Sequence, residues 1–119
     1  MTMDGIELSS AARGFLKAMA SETRQQIMGL FAGGVELTVN EVAERMSLAQ
    51  SATSTHLATL RDGGVLVSRR EWKTVYYRAD SARISKALAD LQATLNACCP
   101  PDDLVTPTAR TGCRGGEGR

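Results

Sequence analysis

The sequence predicts a fold that is mainly α with a small β-hairpin, in the order α-α-α-α-β-β-α. Three observations carry this. Two helical stripes stand only a three-residue turn apart, Ser47-Leu48-Ala49. After Gly63-Gly64 the apolar spacing changes from the period of a helix to that of a strand. Between these points, from Gln50 to Leu60, the chain carries no formal charge. Helix, short turn, helix and hairpin together make a winged helix-turn-helix.

The elements follow in order. Leu8, Ala11, Ala12, Phe15, Leu16 and Met19 keep helical spacing, predicting a first helix that ends near Ala20. Ser21 is placed to cap a second helix carrying Ile27, Met28, Leu30 and Phe31, and Gly33-Gly34 ends it. Thr38-Val-Asn-Glu41 has the form of a capping box, opening a short third helix to about Met46. On the fourth helix Leu57 and Leu60, with Thr53 one turn earlier, fall on one stripe, and Gly63-Gly64 stops it. Two β-rich runs, 65–71 and 75–78, joined by Trp72-Lys73-Thr74, read as the hairpin. Asp80 or Ser81 caps a last helix with stripe Ile84, Leu88, Leu91 and Leu95. It ends near Cys99 because Pro100-Pro101 disfavours helix. Residues 1–99 are thus expected to form one winged helix-turn-helix domain, and 100–119 a flexible tail carrying one cysteine.

Composition narrows the function classes. With 119 residues, 43% of them apolar, the chain can bury one modest core. The aromatic content of 4% argues against a mode based on stacking bases. No apolar run approaches the ~18–20 residues of a membrane span. The start MTMDGIELSS lacks the pattern of a signal peptide, so a cytoplasmic protein is expected. One His, no triad and no glycine-rich phosphate loop leave little for an enzyme to work with.

The net charge of +1 is unevenly distributed. Residues 50–78 hold Arg61, Arg69, Arg70, Lys73 and Arg78 against Asp62 and Glu71, a local excess that suits phosphate. On the fourth helix, Gln50, Ser51, Ser54 and Thr55 lie mostly away from the apolar stripe. Short hydroxyls and an amide suit the edges of bases in a major groove. These four are the expected groove contacts. His56 and Arg61 flank them as phosphate candidates, and Arg69, Arg70 and Lys73 of the wing are the expected phosphate or minor-groove binders. Trp72, Tyr76 and Tyr77 are expected to pack.

Five segments, in this order and spacing, resemble the ArsR/SmtB family of bacterial metalloregulatory repressors. They are LKAMASETR (16–24), ELTVNEVA (36–43), QSATSTHL (50–57), LRDGGVL (60–66) and WKTVYYR (72–78). The resemblance implies a homodimer through the first and last helices, two recognition helices on a palindromic operator, and release from DNA when an inducer ion binds. Three departures stand out. Thr38 and Asn40 occupy the family's metal-site cysteine positions in the third helix, which removes a thiolate site there. The Asp/His zinc pair of the last helix is missing, since His56 is the sole His. Ala49 stands where the family often has a capping Ser, a loss worth about 1 kcal/mol unless Ser47 caps from a shifted start.

The three cysteines, Cys98, Cys99 and Cys113, all follow the last apolar stripe. Adjacent thiols suit a soft ion, and an extended tail lets Cys113 reach ~46 Å from Cys99. Within the family this implies As(III) or Sb(III) as inducer on three thiolates, with Cys98, Cys99 and Cys113 as ligands. Zinc, which prefers four N/S ligands, fits poorly. Cadmium, lead, mercury or an organoarsenical remain alternatives. Two other readings stay open: a repressor of the same fold that senses redox state or reactive sulfur through cysteine oxidation, and a winged-helix module that binds protein.

Overall fold

A computed structural model describes residues 7–100. The expected tail, with Cys113, lies outside these residues apart from Pro100. The helices are α1 (Ser10–Ala18), α2 (Glu22–Gly29), α3 (Val39–Met46), α4 (Gln50–Asp62) and α5 (Ser81–Cys98). The strands are β1 (Leu37–Thr38), β2 (Leu66–Glu71) and β3 (Thr74–Ala79), with a 3₁₀ turn at Ala32–Gly34. The sheet order is β1-β3-β2, antiparallel throughout.

Side-chain caps set most of the helix starts. Ser9 caps α1, so that helix is shorter at both ends than the apolar spacing suggests. Ser21 caps α2 and Asp80 caps α5. Thr38 and Glu41 form the reciprocal capping box of α3. Ala49 occupies the cap position of α4 with extended backbone and no side-chain hydrogen bond, and Ser47 is spent elsewhere, in the left-handed conformation that ends α3. Helix α2 stops at Gly29, so Leu30 and Phe31 lie beyond it, although Phe31 remains in the core.

Strand β1 was not expected. Leu37 pairs with Tyr77 and Thr38 with Tyr76, so the hairpin gains a third strand. The core joins Ile27, Phe31, Leu37, Val42, Leu57, Leu60, Val65, Leu66 and Tyr77. Each of the larger aliphatic members contributes about 1.5–3 kcal/mol by burial. Because Leu57, Leu60 and Thr53 are all fully buried, the rotation of α4 is fixed. Helix α1 crosses the end of α4 closely: a Cβ on Gly63 would lie 2.7 Å from the Gly14 carbonyl oxygen and 2.6 Å from the Ala18 Cβ. Val65 joins three elements, donating its N–H to the Leu60 carbonyl and accepting from the Asp80 N–H, at 2.9 Å in each case.

The hairpin register pairs Glu71 with Thr74, leaving Trp72-Lys73 as a two-residue loop. Trp72 does not pack. It is 89% exposed, with a φ of 61°. Two-residue hairpin loops favour Gly where φ is positive, and a residue with a Cβ pays about 1–2 kcal/mol there. Tyr77 does pack, at 5% exposure, and Tyr76 is half-buried.

Candidate nucleic-acid interface

With one stripe of α4 committed to the core, Gln50, Ser51, Ser54 and Thr55 stand on the exposed side of the helix. Among the described residues the side chains of Gln50, Ser51 and Ser54 make no hydrogen bond, so each keeps both donor and acceptor capacity. The Thr55 hydroxyl donates to the Ser51 carbonyl at 3.1 Å, which leaves its oxygen to act as an acceptor. Thr53 does the same toward the Ala49 carbonyl at 2.9 Å, which satisfies the buried hydroxyl of the stripe. His56 is half-buried, its Nδ1 enclosed and without a hydrogen-bond partner among the described residues. Arg61, at the far end of α4, is exposed and lies 3.3 Å from its neighbour Asp62.

The wing sits beside the start of this helix. Thr38, Val39, Asn40, Gln50, Lys73, Thr74 and Val75 line one cleft of about 230 Å³, so the first residue of α4 and the cation of the wing loop share a wall. Lys73 and Arg70 are exposed and form no ion pair among the described residues. Arg69 differs from them. Its guanidinium donates to both carboxylate oxygens of Glu36, reaches Glu71 at 3.1 Å, and lies 4.6 Å from the centre of the Tyr76 ring. The hydrogen bonds from Arg69 hold the Glu36 carboxyl below its ordinary range, and Glu36, then Glu71, push Arg69 upward. Arg69 therefore braces the wing against the segment before β1. Sequence reasoning missed this because the partner is distant along the chain.

The thiols lie elsewhere. Cys98 and Cys99 are free and exposed at the end of α5, with their sulfurs 2.9 Å apart. The hydrogen bond with Cys98 raises Cys99 above the ordinary thiol value. No cluster of three metal-ligating side chains occurs among the described residues. Helix α5 buries only Ala87 fully, while Leu88 and Leu95, like Leu16 of α1, are at least 40% exposed. Serine 9 ties the two helices, donating to Asp90 at 2.7 Å. That bond, then Lys86, holds Asp90 below its ordinary value. No helix among the described residues is long and apolar enough to cross a membrane.

Known proteins share this arrangement. Residues 19–69 match a family described as a helix-turn-helix domain. The transcriptional activator HlyU of Vibrio cholerae is 42% identical over 92 residues, covering 76% of this chain and 83% of that protein. The arsenic resistance transcriptional regulator ArsR2 of Pseudomonas putida is 38% identical over 81 residues, covering 68% and 70%. The structure of reduced HlyU superposes with a TM-score of 0.56 at 40% identity, over 76% of this chain and 90% of that one. The homodimeric winged helix-turn-helix domain of Mb0332 from Mycobacterium bovis, a possible ArsR-family regulator, gives 0.58 at 29% identity, over 72% and 79%. These relatives are transcriptional regulators, not enzymes. An identity of this level over most of a regulator's length, on the same fold, makes the chain a member of the ArsR/SmtB family of winged helix-turn-helix, DNA-binding transcriptional regulators.

Proposed function

We propose that the protein is a homodimeric repressor that reads its operator with α4 and the β2–β3 wing. The observation that carries this reading is the uncharged, exposed face of Gln50, Ser51 and Ser54, whose first residue, Gln50, lines one cleft with Lys73. Thr55 adds an acceptor, His56 and Arg61 flank the groove, and Arg70 and Lys73 take the phosphates. Arg69 acts as the brace that aims them. Exposed Leu16, Leu88 and Leu95 supply the apolar face that a second copy covers, in keeping with the homodimeric Mb0332 domain. A regulator of chromosomal DNA works in the cytoplasm.

The inducer in this reading is a thiophilic metalloid, As(III) or Sb(III), taken up by Cys98 and Cys99. A third thiolate comes from Cys113 of either subunit. Two exposed sulfurs at contact distance support it, as do arsenic-resistance regulators among the relatives. Binding at the end of α5 alters the angle between subunits, and the two recognition helices then no longer match half-sites one DNA turn apart. Such a ligand shifts the equilibrium only by its differential affinity for the two states. Arsenite titrated into the protein bound to its own upstream DNA is expected to release it. A Cys98→Ser, Cys99→Ser protein is expected to stay bound, and its release at the same arsenite concentration would refute the site.

A second reading is that the same thiols sense redox state. In it Cys98 or Cys99 pairs with Cys113 in a disulfide; the exposure of both free thiols favours it, and HlyU is known structurally in a reduced form. Peroxide treatment followed by mass spectrometry separates the two: a disulfide that abolishes DNA binding, with no response to arsenite, supports redox sensing.

A further inference from the structure

We propose that Trp72 is an apolar wedge that packs against the sugar edge of the DNA minor groove from the tip of the wing. This rests on the reading of the chain as a DNA-binding regulator. The chain has one tryptophan, and it leaves that residue 89% exposed. It also holds it at a φ of 61°, in a loop position where glycine would be easier. Both choices work against the stability of the free protein. Strained positions of this kind cluster at functional sites.

The surroundings identify the partner as duplex DNA. Arg69, bonded to Glu36 and Glu71, and the Thr38–Tyr76 pairing brace the hairpin below the loop, so the tip is carried on a stiff support. Lys73 follows Trp72 directly and Arg70 stands two residues before it, both without an ion pair among the described residues, while the charge of the intervening Glu71 is taken up by Arg69. Lys73 shares a cleft with Gln50, which puts the tip beside the reading end of α4. Cations placed in this way meet phosphates and make binding salt-dependent. An apolar side chain carried with them on the same loop meets deoxyribose or a base step, as wedge residues do in the minor groove. Trp72 therefore adds affinity that salt does not remove, whereas Lys73 adds affinity that salt does remove.

Because Trp72 is the sole tryptophan, its fluorescence reports on it directly. The full chain is titrated with the duplex from upstream of its own coding sequence. At saturation the emission is expected to move to shorter wavelength and to be shielded from acrylamide. Trp72→Asn keeps a residue that tolerates positive φ and removes the apolar surface. It is expected to melt at higher temperature yet bind the duplex about tenfold more weakly, with an unchanged salt slope. Trp72→Phe is expected to lie between it and the wild type. Wild-type affinity in Trp72→Asn, or an emission unmoved at saturation, would overturn the wedge while leaving DNA binding in place. An emission already shifted and concentration-dependent without DNA would overturn it in favour of contact between copies. If the wild type binds no duplex at all, the wedge and the proposed function fall together.

Discussion

Arg69 and Glu36, 33 residues apart in sequence, are joined by two parallel hydrogen bonds, both 2.8 Å long. A fork of this kind fixes direction as well as distance. It links β2 to the segment just before β1, so the wing is braced from outside its own hairpin. Because the pair is exposed, its effect on overall stability is small, and its main consequence is the orientation of the wing.

The Glu36 carboxyl is held below its ordinary value of 4.5, chiefly by the hydrogen bonds from Arg69. A depressed carboxylate contributes stability that is present above the unfolded pKa and lost as pH falls through the folded one. Thermal melts of the wild type are therefore expected to lose a component as pH drops below 4.5. Glu36→Gln should lack that component and be nearly matched to the wild type at low pH. An identical pH slope in both proteins would show that the brace does not survive in solution.

Gly63→Ala is expected to destabilise the fold by about 1–3 kcal/mol. The new methyl would meet the Gly14 carbonyl oxygen at 2.7 Å, and backbone cannot step aside as a flexible side chain can. Urea denaturation at constant m-value measures the loss. Gly29→Ala makes a suitable control, since a Cβ there meets nothing within 4 Å.

Ala49→Ser is expected to gain about 1 kcal/mol. The backbone at this position is already extended as a cap requires, and only the accepting oxygen is missing. A melting temperature that rises in Ala49→Ser but not in Ala49→Val would assign the gain to the cap.

Ser54→Ala and Lys73→Ala are expected to fail differently on DNA. The first should relax sequence preference at one position of the half-site, with little change in the salt slope. The second should weaken binding to all duplexes similarly and lower the salt slope by about 1. Competition binding against a panel of single-base variants at two salt concentrations distinguishes them, and wild-type behaviour in both would show that the assigned face is wrong.

Much of the scaffold was legible because its signals are local. The capping box at Thr38 and Glu41, the stripe Thr53-Leu57-Leu60 and the switch to strand period after Gly64 each lie within a few residues. Once the stripe is fixed, the exposure of Gln50, Ser51, Ser54 and Thr55 follows from helix geometry alone. What could not be read depends on distance or brevity. Strand β1 is two residues long and shows no period, and its partner β3 is far along the chain. The occupation of Arg69 by Glu36 is likewise non-local. Trp72 misled for another reason: an aromatic residue is assumed to be buried, and here the turn projects it into solvent.

Val65 hydrogen-bonds to the end of α4 and to the start of α5 while opening the path into β2. The amide and carbonyl of one residue thus tie α4, β2 and α5 together. Because both bonds belong to the backbone, replacing the Val65 side chain empties a place in the core yet leaves this knot tied.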